Sequence, residues 1–150
     1  MEPHAHTNDT LAAELAQFTG SEHMHKHWTG RLYFTDGIHH LADRAGAFWL
    51  IDTVASYLPK CRKDEMLRDF QVWRLKVHNP PIKKMGTVDG ERGMHEYKAT
   101  AYCDRDTDDI AFQHDIPYTD FPLPEIKLYC ELGSVDGVNP AYVLMLPSER

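Results

Sequence analysis

The chain is 150 residues long, 42% hydrophobic and 26% charged, with seven Tyr, six Phe and three Trp. Such a length and content suit one globular unit with a sizeable apolar core and exclude a disordered chain. A formal charge of −7 opposes long-range attraction to nucleic acid, and no apolar run reaches the roughly 18 to 20 residues of a membrane-spanning helix.

Residues 1–9 are polar, with neither a basic start nor an apolar core, so they are expected to be flexible and the protein to be cytoplasmic, with no membrane association. Next, Leu11, Leu15 and Phe18 recur at helical spacing after Asp9 or Thr10 as a cap, and Gly20 ends this short amphipathic helix. The run 21–30, SEHMHKHWTG, alternates His23, His25 and His27 with other residues. On a strand these imidazoles would share one face and could ligate a transition metal, with Glu22, Asp36, His39, His40 or Asp43 as further ligands. The competing reading is a histidine-rich surface with no metal.

Residues 31–35 read as a strand followed by an Asp36-Gly37 turn. The segment 38–58, IHHLADRAGAFWLIDTVASYL, carries Leu41, Ala45, Phe48, Ile51, Ala55 and Leu58 at helical spacing, and Pro59 supplies a stop. It is predicted to be the central packing helix, with Phe48 and Ile51 buried. The period then changes from 3.6 to 2. Trp73, Leu75 and Val77 alternate with Arg74, Lys76 and His78 over 70–78, and further strands are predicted at 94–103, 110–116, 126–132 and 141–146. A long loop over 79–93 and turns at 104–109 and 133–140 connect them. Helices followed by meandering strands predict an α+β fold: an antiparallel sheet of about five strands with two helices, both in the N-terminal half, packed on one face. The whole of 1–150 reads as a single domain.

Over 18–57 the sequence resembles an uncharacterised bacterial domain-of-unknown-function family of small proteins associated with plasmids and phages. The residues that carry the resemblance are Phe18-Thr19-Gly20, Tyr33-Phe34-Thr35-Asp36-Gly37 and Ala47-Phe48-Trp49-Leu50-Ile51-Asp52, joined downstream by 70–77 and 118–129. The resemblance implies a mobile-element setting, where small accessory proteins act by binding other proteins. It carries no catalytic residue to any position.

Charge is unevenly distributed. Residues 104–125 hold seven acids and one base, and residues 60–98 hold ten bases and six acids. Asp106, Asp108 and Asp109 form an acidic tip suited to a basic partner. Asp104, Asp106, Asp108 and Asp115 fall at calcium-loop spacing, but Asp109 stands where the sharp turn requires Gly. Tyr118 and Phe121 sit among prolines as candidate contact aromatics, the competing reading being a rigid connector whose aromatics seal the edge of the core. A basic group, Lys60, Arg62, Lys63, Lys83 and Lys84, could contact nucleic-acid phosphates. Of the three cysteines, Cys103 and Cys130 fall in strand patterns, and Cys61, between Lys60 and Arg62, is the one with thiolate-stabilising neighbours.

These features predict a non-catalytic accessory protein that binds a protein partner as an inhibitor or modulator of a host or defence complex, requires no cofactor and is able to self-associate. The alternative is a metal-dependent enzyme using His23, His25 and His27. A nucleic-acid-associated regulator comes third.

Overall fold

The computed structural model describes residues 11–19, 23–78, 97–119, 121–134 and 140–150. The expectations for 1–9 and for the 79–93 loop with Lys83 and Lys84 lie outside these residues, as does most of the 133–140 turn. Seven strands form one sheet: β1 (Met24–Lys26), β2 (Leu32–Thr35), β3 (Phe70–His78), β4 (Tyr97–Asp106), β5 (Asp109–Thr119), β6 (Glu125–Ser134) and β7 (Pro140–Met145). Their order is β1-β2-β7-β6-β3-β4-β5. The prediction of about five antiparallel strands is corrected: β2 pairs with β7 in parallel, and the sheet is mixed. Local sequence shows hairpins, whereas this pairing joins Leu32 to Tyr142 and Phe34 to Leu144 across most of the chain.

Alternation on β3 sends Gln71, Trp73, Leu75 and Val77 into the core. Cross-strand register adds Ala99, Ala101 and Cys103 from β4 and Leu128 and Cys130 from β6 to the same face. Trp73 is 1% exposed, and its indole N–H donates to Gln71 Oε1 at 2.8 Å, while Gln71 Nε2 donates to the Leu67 carbonyl at 3.2 Å. The polar atoms that come with this burial are thereby satisfied. Leu11 and Leu15, from a helical stretch over 11–15, join the same core.

Two helices replace the single one predicted over 38–58: α1 (Asp36–Ala45) and α2 (Phe48–Cys61). Gly46 separates them at φ 63°, a left-handed conformation in which glycine carries no Cβ penalty, and its N–H caps the Ala42 carbonyl. The break rotates the second stripe. Leu50, Ile51, Val54 and Leu58 are buried, but Phe48, predicted buried, is 45% exposed. Pro59 does not stop α2; it sits exposed in the last turn, and the helix runs on to bury Cys61.

Asp36-Gly37 is also corrected, from a turn to the first turn of α1. The Thr35 hydroxyl accepts from the Ile38 N–H at 3.3 Å as an N-cap. Glu149, in the closing 3-10 turn (Pro147–Glu149), receives the Thr35 hydroxyl at 2.6 Å and the Gly37 N–H at 3.1 Å. A carboxylate at a helix N-terminus is favoured by the exposed N–H groups and the helix dipole. A Cβ on Gly37 would lie 2.6 Å from Glu149 Oε1, so a larger residue here would displace the carboxylate from the helix start.

Candidate functional site

The most distinctive surface forms where the β1–β2 turn meets the start of α2. The turn is closed by the His27 N–H to the Leu32 carbonyl at 2.8 Å and the Gly30 N–H to the His27 carbonyl at 2.9 Å, with Gly30 at φ 79°. His27 is 5% exposed. Its Nδ1 accepts the Thr29 backbone N–H at 3.2 Å and lies 2.9 Å from the Thr29 hydroxyl. An acceptor at Nδ1 leaves the ring proton on Nε2, which donates to Asp52 Oδ1 at 2.7 Å. The same Asp52 oxygen accepts the Trp28 indole N–H at 3.3 Å.

Asp52 therefore holds both a buried imidazole and a tryptophan that is 82% exposed. Beside Trp28 is a groove of about 270 Å³ whose walls include Lys26, Phe34, Phe48 and Ile51. The hydroxyl, imidazole and carboxylate of Thr29, His27 and Asp52 follow the order of a hydrolase triad. Here, however, the one acceptor nitrogen of the ring already serves the Thr29 backbone, so the arrangement locks the turn.

The predicted metal residues divide between two carboxylates. His25 Nε2 lies 2.9 Å from Asp36 Oδ1 and His23 Nδ1 lies 3.7 Å from Asp36 Oδ2, whereas His27 turns to Asp52. His25 also stacks on His39, with ring centroids 4.4 Å apart, and on Phe34 at 5.3 Å. Among the described residues no three His, Cys, Asp or Glu side chains are arranged to hold a metal ion.

At the acidic tip, Asp106 and Asp108 are exposed and Asp109 lies 3.2 Å from Arg105, which also donates to Asp64 Oδ2 at 2.8 Å. The Arg105 hydrogen bond is the largest cause holding the Asp64 carboxyl below its ordinary value, aided by the N–H groups of Met66 and Leu67 and opposed by partial burial. Asp108 takes the left-handed hairpin position at φ 65°, and Asp104 is bound by Arg74 through two hydrogen bonds. Phe121 is 2% exposed and belongs to the core, as the core-sealing reading of its loop has it; Thr119 ends β5 two residues earlier, and its hydroxyl accepts the Phe121 N–H. The side chain of Tyr118 lies outside the described residues.

Cys61 is fully buried despite its basic flanks. It meets Cys103 from β4, whose thiol is pushed up by its hydrogen bond with Cys61 and then by burial; burial likewise pushes up the Cys130 thiol. These are inert core groups. Sequence reasoning missed Trp28, Asp52 and the exposure of Phe48. A tryptophan in a His-Trp-Thr-Gly turn was the available signal, because a four-residue turn offers an indole little to bury against.

Fold and site together define a small α+β protein with a mixed sheet and an exposed aromatic surface at one sheet edge. The chain belongs to the family of unknown function DUF6876, which matches residues 9–150. No curated protein and no solved structure matches it. No helix among the described residues is long and apolar enough to cross a membrane.

Proposed function

We propose that this protein is a non-catalytic binding protein whose partner, another protein, docks an extended segment along β1 and places an apolar side chain between Trp28 and Phe48. The observation that carries this reading is Trp28, 82% exposed yet fixed by its hydrogen bond to Asp52. A large apolar ring ordered in advance loses little entropy on binding, and tryptophan is among the residues that dominate interface energies. Among the described residues β1 is the end strand of the sheet and pairs with β2 alone, so its outer backbone can accept another strand beside the groove. Inhibition or modulation of a host or defence complex, in the mobile-element setting that the family resemblance implies, is the finer form of this proposal.

The test is comparative capture from host lysate with wild-type, Trp28→Ala and Ile110→Ser baits, followed by reconstitution with the purified partner. Ile110 is an exposed apolar residue on β5, at the opposite edge of the sheet. A partner should be retained by wild type and Ile110→Ser and weakened at least about tenfold by Trp28→Ala, as expected for a hot-spot residue. Equal binding by all three baits would sink the reading. So would association with a second copy alone.

A further inference from the structure

On the other side of the Trp28 turn lies a second concavity, a cleft of about 300 Å³ lined by Arg31, Arg62 and Arg68 together with Leu58, Pro59 and Tyr142. The described arginines fall into two groups. Arg44, Arg74, Arg105 and Arg150 each lie within ion-pair distance of a carboxylate. Arg31, Arg62 and Arg68 make no ion pair among the described residues, and these are the three that line the cleft. With 23 acids against 16 bases in the chain, a shortage of carboxylates does not explain the division.

We infer that this cleft binds a small phosphomonoester, with the phosphate held by Arg31, Arg62 and Arg68 and the organic part resting on Leu58, Pro59 and Tyr142. Guanidinium groups match phosphate oxygens through paired hydrogen bonds, and a dianion relieves the mutual repulsion of three like charges facing one space. A volume of about 300 Å³ is at the small end of ligand sites, which suits a sugar phosphate or a nucleoside monophosphate. The Tyr142 hydroxyl donates to the Arg68 carbonyl at 2.7 Å, fixing the wall that carries that arginine. No acidic residue is among the described residues lining the cleft, so the three guanidiniums give it a positive character, although the Asp69 charge is felt together with that of Arg62 at Tyr142. A nucleic-acid strand offers the same phosphate chemistry. The concave shape and the overall charge of −7 favour the small ester over that polyanion.

Calorimetric titration of the full chain with inorganic phosphate, a pentose 5-phosphate, a nucleoside 5′-monophosphate, the free nucleoside and a short single-stranded oligonucleotide tests this. At least one phosphomonoester should bind more tightly than both inorganic phosphate and the nucleoside. Arg62→Ala/Arg68→Ala should weaken it by about tenfold or more, a difference well resolved in a binding constant. Arg44→Ala and Arg150→Ala, which lie outside the cleft, should leave it unchanged. Circular dichroism establishes that the double variant is folded, and Arg31→Gln serves as an independent variant. The inference is overturned if no phosphomonoester binds wild type, if the cleft variants bind as well as wild type, or if inorganic phosphate or the oligonucleotide is the better ligand.

Discussion

At the scale of the residue, Asp52 links the inside of the protein to its surface. One carboxylate oxygen receives the buried His27 ring and the exposed Trp28 indole, so the packing that fixes the first also orients the second. Removing each partner should have unequal consequences for stability. His27→Ala removes a buried imidazole together with its hydrogen bonds to the Thr29 N–H and to Asp52, and the loss of two such hydrogen bonds costs about 1 to 3 kcal/mol. Trp28→Ala removes a ring that is mostly in water and should change stability by no more than about 0.5 kcal/mol. Urea denaturation of the two variants checks this; equal destabilisation would mean that Trp28 is a structural residue. Alternating histidines were legible in the sequence, but their partners were not. Asp36 lies 11 residues beyond His25, and Asp52 lies 25 beyond His27, on elements whose placement the run 21–30 does not encode.

At the scale of the element, the helical stripe was read well in composition and wrongly in continuity. Leu41, Ile51 and Leu58 are buried as predicted, because helical spacing reports which residues can share a face. Gly46 lies within the periodic stripe, where a glycine is tolerated in a helix at a cost of about 1 kcal/mol, so spacing alone does not reveal the left-handed backbone that separates α1 from α2. The difference has a measurable consequence. Ile51→Ala should cost about 2 to 5 kcal/mol, the range for a buried aliphatic side chain. Phe48→Ala, on the far side of the break and half exposed, should cost less than about 1 kcal/mol. Thermal denaturation that ranked Phe48 above Ile51 would restore a single continuous helix. Strand β3 was fully legible, since strict alternation of Trp73, Leu75 and Val77 needs no distant information.

At the scale of the whole molecule, what escaped the sequence is contact between its ends. The β2–β7 pairing makes the sheet mixed, and Glu149 turns Asp36-Gly37 from a turn into a helix start at a separation of 112 residues. These long-range contacts also set the surface. They place the β1–β2 turn between two concavities: Lys26, His27 and Trp28 line the aromatic groove, and Gly30 and Arg31 line the arginine cleft. Partner binding on the first and an organic phosphate in the second would share one short turn, with Arg31 three residues from Trp28. Acidic-tip residues Asp106 and Asp108 lie at the β4–β5 hairpin, at the far edge of the sheet from β1.

Site-specific photocrosslinking reads the docking surface most directly. A photoreactive phenylalanine analogue placed at Phe48, and separately at Ile110, compares two comparably exposed apolar positions at opposite edges of the sheet. The docking account predicts a discrete crosslinked partner protein from position 48, absent from position 110 and absent from position 48 when Trp28→Ala is combined with it. A partner crosslinked from position 110 and not from 48, or one from 48 that persists with Trp28→Ala, would contradict it.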